Sequence, residues 1–225
     1  MSDRQRGSDR PRGSDDEGGV LRVGVLASGR GSNFAAIAEA AATGRLAARP
    51  VVLVADRASA GVLGIARAHG IAAVVVEPRE HPTREAFDKA LIAELVERRV
   101  DLVCLAGFMR VLGPAFVQHF RGRLLNIHPA LLPAFPGLHA QRQALAHGVK
   151  VAGATVHFVD EGVDTGPIVL QAAVPVLDDD TEEALSARIL REEHRLYPEA
   201  IGLFAAGRLR IDGRRVRIAP PPGTP

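Results

Sequence analysis

The sequence predicts an α/β protein built on a doubly wound, mostly parallel sheet, with an antiparallel strand pair and a long helix towards its C-terminal end. Three observations carry this expectation. Short apolar runs rich in Val, Leu and Ile recur between Val20 and Ile127, as expected of strands buried on both faces. Ala-rich or amphipathic segments separate them, and right-handed crossovers of such helices make neighbouring strands parallel. After Lys150 the rhythm changes. Two strand-like runs follow each other with only a short connection, which favours an antiparallel pair.

The elements follow in order. Val20–Ala27 is a mostly apolar strand, and Ser32–Ala42 is an Ala-rich helix. Pro50–Ala55 is a second strand, and Ala60–His69 a helix closed by Gly70 at the C′ position. Ile71–Val76 is a third strand. Thr83–Arg99 is a long helix with Thr83 as N-cap and Ala86, Phe87, Ala90, Leu91 and Leu95 along one stripe. Asp101–Ala106 is a fourth strand, Pro114–His119 a short helix, and Arg123–Ile127 a fifth strand. Lys150–Val159 and Pro167–Pro175 form the antiparallel pair. Thr181–Ala206 is the C-terminal helix, with Thr181, Glu182 and Glu183 at its electropositive start. Pro198 predicts a kink or break within it.

At 225 residues the chain is long enough to bury a large core, and 47% hydrophobic with 24% charged residues is ordinary for a globular protein. Residues 1–19 hold no large apolar side chain beyond Met1 and repeat Arg-Gly-Ser-Asp, so they are expected to be a disordered tail. Residues 218–225, ending in a Pro-rich run, are expected to be a flexible tail, leaving 20–217 as a single domain. A net charge of +2 is too small to argue for nucleic acid. No apolar stretch reaches bilayer length, and the polar N-terminus lacks a secretory core, so a cytoplasmic protein without a membrane partner is expected. The single Cys104 lies in an apolar run and fits a small buried hydrophobe better than a nucleophile. No histidine pair has ligand spacing with Cys or acidic partners, so no metal is expected.

Three segments carry chemistry. Asn126 and His128 are two residues apart at a strand end and therefore share a face. One is a neutral donor and the other titrates near neutrality, which suits an intermediate with an oxyanion and protons to move. An ordinary strand end with a satisfied histidine is the alternative. Ala27-Ser28-Gly29-Arg30-Gly31-Ser32-Asn33 lies in the first strand-to-helix turn, where free N–H groups attract an anion. Its spacing matches neither a Walker A loop nor a dinucleotide fingerprint, which leaves a single phosphate group or a plain helix cap. Asp160-Glu161-Gly162-Val163-Asp164-Thr165-Gly166-Pro167 is a Gly-bracketed loop with three carboxylates. One of them near His128 would orient the ring and raise its pKa; alternatively they are solvated turn formers.

Together, Gly31-Ser32-Asn33, Ala106-Gly107-Phe108-Met109-Arg110, Asn126-Ile127-His128-Pro129 and Asp164-Thr165-Gly166-Pro167 resemble, in that order, the 10-formyltetrahydrofolate-dependent formyltransferase family. The likeness runs from about Leu21 to Leu209. Asn-x-His-Pro with a distant Asp is shared across that family. The Gly-Ser-Asn turn and Leu131–Gly137 resemble more particularly its phosphoribosylglycinamide branch. The resemblance implies a Rossmann-like fold and formyl transfer from 10-formyltetrahydrofolate to the amine of glycinamide ribonucleotide. It implies Asn126, His128 and Asp164 as catalytic residues. It places the nucleotide on Gly31, Ser32, Asn33, Gly107 and Glu193. The folate falls to Arg84, Met109, Arg110, Val111, Leu112 and Asn126, with Asp160, Glu161, Gly162, Val163 and Asp164. Arg30 departs from the smaller or neutral residue common in the phosphate turn. Methionyl-tRNA formyltransferases typically add a C-terminal domain and formyltetrahydrofolate hydrolases an N-terminal one, and neither is expected here. A non-catalytic nucleotide-binding module would have no need for Asn126, His128 and Asp164 to converge. The expected partners are the two small-molecule substrates, and the expected state is a monomer or homodimer.

Overall fold

The computed structural model describes residues 19–221 and 223. The expectations for residues 1–18 and for 222, 224 and 225 lie outside them. Strands β1 (Leu21–Ala27), β2 (Ala48–Ala55), β3 (Ala72–Val75), β4 (Leu102–Leu105) and β5 (Leu124–His128) form the parallel part. They are linked by α1 (Ser32–Ala42), α2 (Val62–Ala68), α3 (Arg84–Glu97) and α4 (Pro114–His119). Strands β6 (Val151–Phe158) and β7 (Ile168–Pro175) then run antiparallel, as their short connection requires. The long helix α6 (Glu182–Ala205) follows. The polar caps fall where expected: Thr83 accepts the Ala86 N–H and Thr181 the Ala184 N–H, each at 3.2 Å.

Besides a short 3₁₀ helix at Pro78–Glu80, three elements were not anticipated. Helix α5 (Ala140–Ala146) lies between β5 and β6, and only Ala140 and Ala144 are buried on it. Strands β8 (Leu209–Asp212) and β9 (Arg215–Ile218) form a hairpin around Gly213-Arg214. The signal was present, because Leu209 and Ile211 alternate with Arg210, and Val216 and Ile218 with Arg217, on either side of a Gly-led two-residue turn. Ile218 thus ends a strand instead of opening a tail. Through one parallel pairing, Ile168 with Arg215, the hairpin extends the sheet to nine strands in the order β3-β2-β1-β4-β5-β6-β7-β9-β8.

The sheet has a core on each face. Phe34, Ile37, Val62, Ala66, Ile189, Leu196 and Tyr197 bring α1, α2 and α6 onto one side, and Phe87, Leu91, Leu95, Phe116 and Val117 bring α3 and α4 onto the other. Cys104 is fully buried, and burial pushes its thiol up to about 12, so it is an inert core residue.

Of the kink or break expected at Pro198, the break does not occur, because helix α6 is continuous through it. Packing explains the outcome. Tyr197, Ala200 and Ile201 on either side of the proline are fully buried, and the Tyr197 hydroxyl lies 3.0 Å from both the Leu105 and Leu125 carbonyls. These contacts fasten the helix to β4 and β5 on the side of the proline's neighbour. We predict that Tyr197→Phe lowers stability by about 1–2 kcal/mol, seen as a lower denaturation midpoint at unchanged m-value. An unchanged midpoint would show that the hydroxyl contributes nothing.

Candidate active site

The order β2-β1-β4 reverses the direction of winding between β1 and β4, and a crevice opens beyond the carboxyl ends of strands at such a reversal. Two of the predicted segments meet there. The turn after β1 enters α1 through Gly31, the helix N-cap, whose φ of +86° and contact with Val62 of α2 leave no room for a side chain. The loop after β4 begins at Gly107, whose carbonyl accepts the Ser28 N–H at 3.1 Å. The first N–H groups of α1 have no partner within the helix and face outward as donors. Ala35 N–H, donating to the Gly31 carbonyl at 2.8 Å, begins the internal ladder.

Asn33 does not offer its side chain to that turn. Its amide donates to Glu193 Oε2 of α6 at 2.6 Å, with both residues buried. Glu193 is therefore no solvated helix residue, and burial pushes its carboxyl above the usual range against the opposing effect of the Asn33 bond.

Strand β5 holds Asn126 and His128 on one face, since the alternating Leu125 and Ile127 enter the α1–α6 core. The antiparallel partner β6 sets His157 opposite Asn126 and Thr155 opposite His128. Asp164 approaches from the loop after β6. Its Oδ2 lies 3.3 Å from His128 Nδ1 and accepts the Gly137 N–H at 2.8 Å, while its Oδ1 lies 3.4 Å from the Asn126 amide nitrogen and 3.5 Å from His157 Nε2. The expected trio therefore converges, and His157 joins it. Asn126 Nδ2 is also 3.2 Å from His157 Nε2, whose other nitrogen meets the Phe158 carbonyl at 2.8 Å. No local signal marked His157, because only the β5–β6 register makes it a neighbour.

The loop after β5 is fixed from beneath. The Thr155 hydroxyl donates to the Ala130 carbonyl at 2.6 Å and accepts the Leu132 N–H at 3.1 Å. This anchoring presents the Phe135 carbonyl 2.8 Å from His128 Nε2. Both ring nitrogens of His128 thus face oxygens, which favours the imidazolium. Burial acts more strongly in the other direction, so the net pKa lies below the ordinary histidine value, although the Phe135 carbonyl and Asp164 push it up. The carboxylate thus acts in the expected direction, and burial outweighs it. For Asp164, burial opposes ionisation, but the His157 contact, the Gly137 N–H and the nearby imidazoles hold its carboxyl below the usual aspartate range.

The remaining predicted residues separate into exposed ones and ones whose side chains are engaged elsewhere in the fold. Arg84 is exposed at the first position of α3. Met109 and Val111 are exposed, whereas the Leu112 side chain packs into the α3–α4 core. Arg110 binds the buried carboxylate of Asp56. Asp160 accepts from Gly162 N–H and the Thr165 hydroxyl inside its own loop, and Glu161 bonds to Gln118, so neither carboxylate reaches His128. Gly162 and Val163 are exposed at the loop tip. Among the described residues, no group of three or more His, Cys, Asp or Glu is arranged to hold a metal ion, and no helix is long and apolar enough to cross a membrane.

A titratable histidine, an ionised aspartate and an amide donor at the mouth of a parallel sheet, beside an anion-receptive turn, define a site for polar group transfer. The chain belongs to the formyl transferase family, which it matches over residues 21–201. It is 45% identical over 210 residues to the phosphoribosylglycinamide formyltransferase of Escherichia coli (strain K12), covering 90% of this chain and 98% of that protein. The crystal structure of glycinamide ribonucleotide transformylase 1 from Symbiobacterium toebii superposes with a TM-score of 0.89 at 58% identity, covering 91% of this chain and 96% of that one. The trifunctional purine biosynthetic protein adenosine-3 of Drosophila melanogaster is 50% identical over 188 residues, and the chain spans 14% of that protein's length.

Because the Asp164 charge raises the His128 pKa, its removal must lower it. We predict that Asp164→Asn moves the His128 titration, followed by NMR of the ring protons, further below its wild-type value. A shift upward, or none, would mean that the two groups are not coupled.

Proposed function

We propose that this protein transfers a formyl group from 10-formyltetrahydrofolate to the amine of glycinamide ribonucleotide, yielding formylglycinamide ribonucleotide and tetrahydrofolate in purine biosynthesis. The observation that carries the mechanism is the convergence of Asn126, His128 and Asp164 at the end of β5. Family membership and the near full-length match to a phosphoribosylglycinamide formyltransferase support the substrates.

The substrate's own amine is the nucleophile, so no Ser or Cys nucleophile is required. Its nitrogen forms a bond to the formyl carbon, and the carbonyl electrons move onto oxygen. The Asn126 amide and the His128 ring stabilise that oxyanion, which makes them stronger partners of the intermediate than of the substrate. Both His128 nitrogens already have partners, so one of them must exchange its present oxygen for the substrate. Asp164 holds the ring and balances its charge as the amine proton passes towards the folate nitrogen. The carbon–nitrogen bond to folate then breaks and tetrahydrofolate departs. The nucleotide phosphate lies on the backbone N–H groups of Gly31, Ser32 and Asn33. Asn33 and Glu193, already bonded to each other, close the sugar side of the site.

The decisive assay supplies both substrates and follows tetrahydrofolate release with and without glycinamide ribonucleotide. Release that needs the ribonucleotide is expected. Absence of product from folded protein that binds both ligands would sink the proposal, and release without it would make the enzyme a hydrolase. His128→Ala and Asp164→Asn are each expected to lower turnover by about 10²–10⁴-fold with an unchanged circular dichroism spectrum. Near wild-type turnover by either variant would overturn the assigned roles.

A further inference from the structure

The loop from Gly107 to Gly113 does little to hold itself in place. Met109 and Val111 point into solvent, 61% and 66% exposed. Three polar side chains from other elements, each only 2% exposed, hold it instead: Ser28 and Asp88 accept its backbone N–H groups, and Asp56 accepts the Arg110 side chain. Ser28, after β1, accepts the Met109 N–H at 2.9 Å and donates its own N–H to Gly107. Asp88 of α3 accepts the Gly113 N–H at 2.7 Å. Asp56, directly after β2, takes the Arg110 Nε at 3.0 Å on one carboxylate oxygen and the Arg57 Nε at 3.2 Å on the other.

The Asp56–Arg110 pair differs from an ordinary surface ion pair in placement. Its members follow β2 and β4, which flank β1, and the strand ends are nearly level: Ala27 pairs with Ala55, and Leu26 with Leu105. The pair therefore straps across the crevice at the winding reversal, above the start of the phosphate turn. The Asp56 side chain is fully buried, whereas Arg110 is half exposed, so the carboxylate is the fixed member and the arginine the one being positioned.

We propose that Asp56 is a positioning residue for folate: by holding Arg110 it keeps the 107–113 backbone in the conformation that receives the co-substrate. This rests on the reading of that loop as folate-contacting. A loop already ordered loses less entropy on binding, so the strap acts on folate affinity and leaves the chemistry at Asn126, His128 and Asp164 unchanged.

Steady-state kinetics on Asp56→Asn test the idea. The KM for 10-formyltetrahydrofolate is expected to rise about three- to tenfold, the ordering cost of one immobilised side chain, while kcat and the KM for glycinamide ribonucleotide stay within about twofold. Calorimetric binding of tetrahydrofolate should weaken by the same factor. In an Arg110→Ala background, Asp56→Asn should have no further effect, because it acts through that arginine. Equal rises in both KM values, additive effects, or a lowered melting temperature with unchanged folate constants would each overturn the proposal. Should Asp56→Asn not fold, Arg110→Lys at the half-exposed partner carries the test, since lysine cannot reproduce the guanidinium geometry; unchanged folate binding there would also overturn it. Failure of wild-type protein to use the ribonucleotide would count against the proposed function instead, and the tetrahydrofolate titration reads the strap independently of it.

Discussion

The site depends on where one carboxylate sits. Asp164 occupies left-handed backbone, φ +55°, a conformation that aspartate tolerates better than most residues. It is kept there by the groups it gathers: the Gly137 N–H, His128, Asn126 and His157. Directly beyond it, Gly166 packs against the Phe158 carbonyl where any Cβ would collide, so the loop's return path is fixed as well. Without the carboxylate, the Gly137 N–H, the Asn126 amide and the His128 and His157 rings would lose the one acceptor they share. Orientation of the imidazole and of the amide both follow from this single placement.

That placement depends in turn on the sheet changing direction. In the parallel part, the loops beyond the carboxyl ends of β1 and β4 frame one side of the crevice. A further parallel strand after β5 would have required a long crossover. Pairing β6 antiparallel to β5 instead brings His157 and Thr155 beside the strand that carries Asn126 and His128. Thr155 then supports the Ala130–Leu132 backbone, and β6 delivers Asp164 from its far end. One reversal of strand direction thus supplies the loop beneath the histidine and the acid beside it.

Much of the fold was legible because its signals are local. Apolar runs bounded by Gly and Pro, Thr caps at 83 and 181 and the shortened connection after β6 are all properties of neighbouring residues. Misreadings came where short elements have weak periodicity, as in α5, or where long-range packing overrode a local rule. At Pro198 the break, one of the two expected outcomes, is absent, and the buried Tyr197 beside it holds the helix onto two strands. Asn126 and His128 were legible as a pair because a strand places alternate residues on one face. The sign of the His128 pKa was not, because it depends on how much water the fold removes.

By itself the sequence determined which residue types were available and which of them share a strand face or a turn: the Asn126–His128 pair, the Gly31 turn, the acidic loop and the alternation of strands and helices. Tertiary structure decided which of the three loop carboxylates meets the histidine, that His157 stands opposite Asn126, that Asn33 turns to Glu193, and that Ser28, Asp56 and Asp88 secure the loop after β4. The reason is physical. Local order follows from backbone geometry within a few residues, whereas contacts between residues tens of positions apart depend on register, burial and the satisfaction of polar groups that only the assembled sheet brings together.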